Sequence, residues 1–404
     1  MSADLDVSVC VVGAGPVGGT LACRLAAAGV ATAVVDRAAL PPMEHPDFDG
    51  RAYAVAAGSR AVLEAAGLWD ALPFPAGPIA SIRVSDGRVG RRASPLFLHF
   101  DAHEVGGEAF GWMVEARGLR MALNARMHAL PDLHVFAPAA AAVTRTPEGA
   151  VLQVADGPRI TCRLVVAAEG RDSPLRNAAG IPVTRIPYDQ TGIVCAIAHE
   201  RPHRGVALEH FLPSGPFARL PMAPTEGAPN LSAIVWTERT AIAERVLALD
   251  DARFAPEIAR RLGDHLGAIR LLGRRWRYPL SAMHAHRYVA DRLALVGDAA
   301  HGIHPIAGQG LNLGFRDIGA LAELVIGAND PGDQGLLRRY QARRRPDNLM
   351  MLAATDALDR LFSNDIRPIR LARGLGIAAV NRTPPLKRLF MRTAMGALGT
   401  ELRA

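Results

Sequence analysis

Two glycine-rich runs of this chain combine backbone amides with carboxylates in spacings that suit phosphate and polyol groups. The first, Gly13-Ala14-Gly15-Pro16-Val17-Gly18, fits G-x-G-x-x-G and is followed by Asp36 and Arg37. In such a turn the first glycine allows a sharp bend, the second lets backbone approach a pyrophosphate, and the third permits close helix packing. Asp36 can accept hydrogen bonds from a ribose diol and would repel a 2′-phosphate. The run therefore predicts a site for FAD or NAD rather than NADP.

The second run extends from Gly297 to Asp317 and contains the acceptors and donors for a different part of a cofactor. Asp298 follows an apolar stretch, and its carboxylate could bind the hydroxyls of a ribityl chain. Pro305 precedes a predicted helix start, where backbone N–H groups can stabilise negative charge on a flavin ring as it is reduced. The residues that supply these groups are Gly308, Gln309, Gly310, Leu311 and Asn312. A simple dehydrogenase needs no second site on its cofactor, so the two runs together favour FAD.

Short apolar stretches precede each of these motifs and predict buried strands. Residues 7–12 and 30–35 flank an apolar helical segment, which predicts a βαβ unit around the first run. Residues 164–168 and 292–296 predict further strands, and Pro- and Gly-punctuated segments with β-like patterns lie between. We also predict helices over residues 52–66 and 241–266, and mostly helical structure after residue 319.

This order predicts an α/β fold, a Rossmann-like nucleotide-binding domain with an inserted, α+β second domain and a C-terminal helical tail. The discontinuous FAD-binding domain would comprise residues 1–75, 105–180 and 281–345. Residues 76–104 and 181–280 would form the β-rich substrate domain, and 346–404 the helical region.

Composition indicates a soluble globular protein of the cytoplasm. Half of the 404 residues are apolar, and no segment offers the roughly 18 consecutive apolar residues of a membrane span. We read no signal peptide at the N-terminus. The four cysteines have no CxxC or metal-ligand spacing, which favours reduced, buried thiols and no metal centre.

The net charge of +7 is concentrated at the C-terminal end. Residues 336–404 contain fourteen Arg and Lys against five Asp and Glu, so they account for the whole basic excess. A solvated helical face explains such a bias, and so does attraction to anionic lipid head groups. Nucleic acid is not expected, because no recognition motif accompanies the charge.

The second run also resembles a known family. Residues 304–317, His-Pro-Ile-Ala-Gly-Gln-Gly-Leu-Asn-Leu-Gly-Phe-Arg-Asp, are similar to the signature of the ubiquinone-biosynthesis hydroxylases. These belong to the aromatic-ring flavin hydroxylases related to para-hydroxybenzoate hydroxylase. The likeness continues at Arg51-Ala52, at Trp112 to Arg120, around residues 215–237 and in the tail near residues 381–396.

This resemblance implies a role for each matching position. Gly13, Gly15 and Gly18 would bind the pyrophosphate, and Asp36 the adenosine ribose. Arg51 and Arg117 would contact the phosphates or the ribityl chain, although each could instead form an ordinary surface ion pair. Asp298 would bind ribityl, Pro305 would lie beside the flavin ring, and residues 308–312 would face its pyrimidine side.

The resemblance further implies a reaction that the cofactor carries out. NADH or NADPH would reduce FAD, O2 would add to give a flavin hydroperoxide, and the distal oxygen would pass to an electron-rich phenolic ring. No acid–base side chain is assigned. The substrate would be a polyprenylated phenol or quinol precursor of ubiquinone, and association with other proteins of that pathway would follow.

The basic tail would then make a peripheral contact with the inner face of the membrane, where such a substrate resides. Its cations stand among Leu, Ile, Phe and Met residues. They are Arg367, Arg370, Arg373, Lys387, Arg388 and Arg392.

Three alternatives stay open at this stage. They are a hydroxylase of a soluble aromatic compound, a flavin reductase without oxygen insertion, and a non-hydroxylating flavoprotein subunit of a biosynthetic assembly. Glu169 keeps the last one open, because the family's middle motif usually has Asp before Gly170.

Several histidines are candidates for functional residues. His301 and His304 are spaced so that both could bind a metal ion, but no third ligand has a suitable spacing. His284 and His286 are expected on a solvated loop, and His210 is a candidate for lining a pocket, although packing explains it as well.

Overall fold

Buried runs rich in valine, alanine and leucine form the strands at residues 5–12, 32–35 and 159–167, and glycines or capping side chains mark most helix ends. The computed structural model describes residues 4–40, 47–91, 97–364, 373 and 380–395. The strands are β1 (Leu5–Val12), β2 (Thr32–Val35), β3 (Ala52–Ala56), β4 (Gly77–Pro78), β5 (Ser81–Asp86), β6 (Phe97–Asp101), β7 (Gly111–Glu115), β8 (Leu133–Phe136), β9 (Ala141–Arg145), β10 (Ala150–Val154), β11 (Arg159–Ala167), β12 (Val183–His199), β13 (Val206–Leu212), β14 (Gly215–Met222), β15 (Leu231–Arg239), β16 (Ile269–Ala285), β17 (Val289–Ala290), β18 (Leu293–Leu295) and β19 (His301–Gly302). The helices are α1 (Pro16–Ala27), α2 (Ala57–Ala65), α3 (Ala116–Ala129), α4 (Pro174–Ala178), α5 (Thr240–Leu247), α6 (Asp251–Leu262), α7 (Gln309–Val325), α8 (Gln334–Phe362) and α9 (Pro384–Ala394).

The first sheet has a parallel core in the order β18-β11-β1-β2-β8, with β17 beside β18, β10 antiparallel beside β11, and β9 antiparallel beside β10. Its central strands are buried on both faces, as parallel strands covered by helices must be. Helices α1 and α3 pack together on this sheet, and α7 packs against α1. The α/β fold class and the initial βαβ unit are thus confirmed.

The second sheet has the order β19-β16-β12-β15-β14-β13-β5-β6 and is antiparallel except where β13 runs beside β5. Its strands come from residues 81–101 and 183–302, which are far apart in the chain. A small third sheet, β3-β7-β4, is formed by segments on either side of β5 and β6.

Two helix predictions need correction. Residues 52–66 begin as β3, because Ala52 to Ala56 pair with β7, and this tertiary pairing overrides the helical propensity of an alanine-rich segment. Residues 241–266 form two helices rather than one. Asp250 separates them, since its side chain accepts a hydrogen bond from the Arg253 N–H at 2.9 Å and caps α6.

Candidate functional site

The three glycine-containing motifs meet at one edge of the first sheet. Strands β1, β2, β11 and β18 run parallel, so their carboxyl ends lie at the same edge. Gly13 follows β1, Asp36 follows β2, Glu169 follows β11, and Asp298 follows β18. Ligands of open α/β sheets bind outside this edge. Segments almost 300 residues apart in the chain therefore contribute to one site.

The first run has the geometry of a dinucleotide turn. Gly13 adopts φ +107°, and a Cβ there would lie 2.4 Å from the Ala168 carbonyl oxygen. A Cβ on Gly18 would lie 2.0 Å from the Gly13 carbonyl oxygen, so this glycine is needed for the helix to approach the strand. Gly15 is different, because it is exposed and a Cβ there would meet nothing within 4 Å. The turn thus leaves open the position where backbone would approach a pyrophosphate, and α1 begins there with Pro16.

Asp36 lies directly over this turn. One carboxylate oxygen accepts a hydrogen bond from the Ala14 N–H at 2.6 Å, and the other accepts one from the Ala38 N–H at 2.8 Å. Arg37 is exposed next to it. A carboxylate fixed in this way retains further lone pairs for a ribose diol.

The second run forms a loop that leads into α7. Pro305 precedes a short 3-10 turn, and Gly308 then takes φ +62° just before the helix begins at Gln309. Asn312 fixes the loop, because its amide group donates to the carbonyl oxygens of Gly308 (3.2 Å) and Ala54 (2.9 Å). Gly310 faces open space. The first turn of α7 thus presents backbone N–H groups that have no partner within the helix, as the predicted flavin site requires.

One residue that the sequence analysis did not assign, Gly314, brings the two glycine runs together. A Cβ on Gly314 would lie 2.6 Å from a methyl group of Val17, so its absence allows α7 to pack closely on α1. The signal was present as a glycine one turn after Gly310 on the same helix.

Asp317 organises a buried cluster behind this loop. Its side chain is 0% exposed and accepts hydrogen bonds from the Gly297 N–H (3.0 Å), His301 Nε2 (2.5 Å), Arg344 Nε (2.9 Å) and Asn348 Nδ2 (3.0 Å). Burial alone raises the pKa of Asp317, but His301 and Arg344 outweigh it and hold the pKa at about 2. The carboxylate therefore stays ionised and ties the end of β18 to α7 and α8.

His304 has different partners from His301. Its Nε2 lies 3.1 Å from Gln190 Oε1 and 3.6 Å from an oxygen of Asp359, and Tyr188 packs edge-on against the ring. Within the described residues, no group of three or more His, Cys, Asp or Glu could hold a metal ion.

Two other histidines, His284 and His210, are buried in strands of the second sheet. His284 was expected on a solvated loop, but it is buried in β16, where its Nε2 lies 3.2 Å from the Tyr288 hydroxyl. Pairing with β12 and β19 draws it into the sheet. His210 is buried and its Nδ1 lies 2.8 Å from Ser85 Oγ, so it serves packing.

The carboxylates after β11 and β18 each have a partner. Asp298 pairs with Arg171 at 3.0 Å and keeps 47% of its side chain exposed. Glu169 accepts hydrogen bonds from Ser173 Oγ (2.6 Å) and the Leu175 N–H (3.2 Å), and it thus helps to cap α4. The Glu169 side chain, which is one methylene longer than the Asp usual in the family, therefore has hydrogen-bond partners in the turn before α4.

Arg51 and Arg117 flank the small third sheet rather than extending freely into the site. Arg51 pairs with Asp49 at 2.5 Å and lies over the Trp276 ring. Arg117 pairs with Glu115 at 2.6 Å and stacks on Phe74. The ion-pair alternative accounts for these contacts, and contact with a cofactor phosphate stays a prediction.

A cavity of ≈ 640 Å³ adjoins the start of α7. The second sheet forms one wall, β3 and the first turn of α7 form another, and the end of α8 completes it. Its lining is apolar apart from a few side chains, of which Glu209 and Arg373 can carry charge. Pockets of this size and character bind small organic ligands.

The basic tail does not present its cations as one face. Arg373 is 4% exposed and pairs with buried Asp86 at 3.1 Å, so burial and this ion pair remove it from the surface. Lys387 pairs with Glu104 at 2.8 Å. Arg388 and Arg392 are exposed on α9, whereas Arg367 and Arg370 lie outside the described residues. Over the residues that the structure describes, no helix combines the length and apolar character needed to cross a membrane.

Comparison with known proteins covers nearly the whole chain. The family profile of the FAD binding domain matches residues 6–354. The chain is 50% identical to ubiquinone hydroxylase UbiL of Rhodospirillum rubrum, over 98% of this chain and 91% of that protein. It is 34% identical to 3-demethoxyubiquinol 3-hydroxylase of Escherichia coli, over 96% and 98% respectively. The crystal structure of Pseudomonas aeruginosa PqsL in complex with 2-aminobenzoylacetate shares the fold, with a TM-score of 0.76 and 22% identity over 94% of this chain and 100% of that one.

Proposed function

The chain belongs to the family of FAD-dependent ubiquinone hydroxylases, and we propose that it hydroxylates the aromatic ring of a polyprenylated phenol in ubiquinone biosynthesis. NADH or NADPH is the electron donor, and O2 supplies the oxygen atom. The observation that carries the proposal is the apolar cavity of ≈ 640 Å³, which reaches Gln309 and Asn312 at the start of α7. An isoprenoid chain can be buried there with its ring next to the predicted flavin site.

The open glycines and fixed acceptors of the site fit FAD. The pyrophosphate would lie at Gly13, Gly15 and Gly18, the adenosine ribose at Asp36 and the ribityl chain at Asp298. Residues 308–312 would face the pyrimidine side of the ring, beside Pro305. When bound, FAD supplies electron transfer from the nicotinamide to O2 and delivery of one oxygen atom to the substrate ring. The protein positions the substrate and excludes water from the reacting atoms.

The charges around the cavity favour a prenylated phenol over a soluble aromatic acid. A carboxylate substrate calls for a cation that is free to bind it. Among the described lining residues the cation is Arg373, and it is already paired with Asp86. An apolar substrate needs no such group. The cofactor domain and the inserted substrate domain, with the boundaries given above, are part of this proposal.

Loss of the gene is expected to block ubiquinone synthesis at a ring hydroxylation. A deletion strain should accumulate a prenylated phenol that lacks one hydroxyl group, detected by mass spectrometry of lipid extracts. Re-expression of the wild-type chain should remove the intermediate. Normal ubiquinone content without such an intermediate would contradict the proposed substrate.

The mouth of the cavity supports contact with a membrane surface. Four large apolar side chains are exposed along the second half of α8, which are Leu349, Met350, Leu358 and Leu361. The last two also line the cavity, and the exposed cations of α9 lie on the same C-terminal segment. We therefore place the peripheral membrane contact on α8 and α9, at the inner face of the membrane, where a bilayer-resident substrate could enter. Other proteins of ubiquinone biosynthesis would meet the enzyme there.

Acidic residues on this surface are expected to weaken membrane binding. The variant Leu349→Asp/Met350→Asp should bind phosphatidylglycerol-containing vesicles at least about tenfold more weakly, since burying one such side chain contributes about 1.5–3 kcal/mol. Co-sedimentation measures this. Ile242→Asp, on α5 at a site about as exposed as Leu349, is the matched control and should bind as the wild type does. Equal binding of all three proteins would exclude this surface.

A further inference from the structure

One carboxylic acid, Glu209, stands on the apolar wall of the cavity. In β13, Ala207, Glu209 and Phe211 alternate onto one face, and all three line the cavity. His210 points to the opposite face, towards Ser85. The cross-strand neighbours of Glu209 are Val84 on β5 and Ala218 on β14. The carboxyl group therefore has hydrocarbon side chains beside it on both neighbouring strands.

Among the described residues, no partner explains a carboxyl group at this place. Across the residues that the structure describes, Glu209 has no hydrogen bond or ion pair. The charged pair that reaches the same cavity is Arg373 with Asp86, and these two satisfy one another. Burial raises the pKa of Glu209 to about 7. The Glu209 side chain is half-buried, since it borders the cavity, and a desolvated carboxyl group without a partner is costly, which points to a ligand in the cavity as the missing partner.

Glu209 also lies where the cavity meets the flavin loop. A second, smaller cleft is lined by Glu209 together with Pro305, Ile306 and Gly308. The carboxyl group thus faces both the space for the substrate and the loop expected beside the flavin ring. A substrate ring presented to that loop would have its polar substituent near Glu209.

We propose that Glu209 binds the phenolic hydroxyl of the substrate and accepts its proton. The O–H bond of the phenol breaks, its electron pair stays on oxygen, and the proton passes to a carboxylate oxygen of Glu209. The phenolate ring is richer in electrons at its ortho and para carbons and so reacts better with an electrophilic oxygen donor. After oxygen transfer, the C–H bond of the hydroxylated carbon breaks, its proton passes to solvent and its electron pair restores the aromatic ring. The neutral acid then returns its proton to the phenolate oxygen. The inference rests on the proposed function and names the group that recognises the phenol.

The environment suits this exchange near neutral pH. An ordinary phenol has a pKa near 10, about three units above Glu209, whereas a solvated Glu near 4.3 would be a much weaker base. Activity should therefore rise as pH increases through about 7, when the carboxylate forms.

The test uses the FAD-loaded enzyme with 2-prenylphenol that carries ¹³C at the hydroxyl-bearing carbon. Equilibrium dialysis gives the Kd, the ¹³C resonance reports the hydrogen bond that the bound phenol donates, and steady-state assays give kcat and KM against pH. With wild-type protein, the bound ¹³C resonance should move downfield as pH increases through about 7, because the Glu209 carboxylate that then forms accepts a hydrogen bond from the phenol O–H.

The variants separate recognition from proton transfer. Glu209→Gln should bind the probe within about threefold of wild type, show no change of the bound resonance near pH 7, and lower kcat about 100-fold or more with loss of the rise in activity near pH 7. Glu209→Leu should also weaken binding about tenfold, because the hydrogen bond is lost. Glu200→Gln, an exposed carboxylate just after β12, is the control and should match the wild type.

Stability of the variant provides a check on folding. The pKa of Glu209 is raised in the folded state, so wild-type stability falls as pH increases from about 4.5 to 7. Because glutamine does not ionise, Glu209→Gln should not show this fall in stability, and above pH 7 it should unfold at a higher urea concentration than wild type. A Glu209→Gln enzyme with the wild-type resonance shift and pH profile overturns the inference. Failure of the wild-type enzyme to bind or hydroxylate any prenylphenol overturns the proposed function itself, and the inference with it.

Discussion

Replacing Asp317 with asparagine is expected to lower the free energy of unfolding by about 3–5 kcal/mol, because it leaves Arg344 as a buried charge without its partner. The amide cannot satisfy the four donors that now converge on the carboxylate. The His301 and Gly297 contacts hold the end of β18 against α7. Bound FAD should therefore decrease as well. Urea unfolding and the flavin-to-protein absorbance ratio measure the two effects.

The destabilisation caused by Asp317→Asn should become smaller as the pH falls. The pKa of Asp317 is lowered from 3.8 to about 2, so its ionised form stabilises the fold above about pH 4, and this contribution is lost as pH falls towards 2. The pH-dependent part amounts to about 2–3 kcal/mol. The difference between wild type and Asp317→Asn should accordingly narrow between pH 4 and pH 2.

An exposed ion pair provides the control. Glu323 pairs with Arg343 at 2.5 Å, but both side chains are more than half exposed. Glu323→Gln should therefore change stability by no more than about 1 kcal/mol. If Asp317→Asn lowers the free energy of unfolding by no more than this control does, the buried cluster does not hold the loop.

The elements that could be predicted from the sequence are those whose signals lie close together in the chain. The βαβ unit around Gly13 and the start of α7 near Gly310 were predictable, because glycine positions and apolar stretches determine turns and strands over short distances. Residues 52–56 were misread as helix, since only their pairing with β7 makes them a strand.

The missed features depend on partners distant in the chain. Asp317 appears in sequence as the last residue of a signature, and only the fold shows that Arg344 and Asn348 reach it from α8. Arg373 reads as one more cation of a basic tail, yet Asp86, some 287 residues away, binds it in the interior. Glu209 resembles any charged residue of a half-exposed strand until the cavity on its face is known. None of these contacts leaves a periodic or spacing signal.

A single methyl group at Gly15 is expected to separate cofactor binding from folding. Gly15 has φ −67° and ψ −178°, which alanine adopts readily, and its Cβ would enter open space. Gly15→Ala apoprotein should therefore unfold within about 1 kcal/mol of the wild-type apoprotein. FAD should bind about 10- to 100-fold more weakly, because the methyl group occupies the place where backbone would approach the pyrophosphate, an overpacking cost of about 1–3 kcal/mol.

The matched variant Gly18→Ala should behave differently. Its Cβ would lie 2.0 Å from the Gly13 carbonyl oxygen and 2.7 Å from the Ala168 Cβ, so α1 must move away from β1. The Gly18→Ala apoprotein should lose about 1–3 kcal/mol of stability even without FAD, and its affinity for FAD should fall as well. Urea unfolding of both apoproteins and quenching of FAD fluorescence on titration provide the comparison. Wild-type FAD affinity in Gly15→Ala would mean that the pyrophosphate does not lie over this turn. The comparison is informative because the two glycines are three residues apart in one motif. Gly18 packs against the protein itself, whereas Gly15 faces the predicted cofactor site.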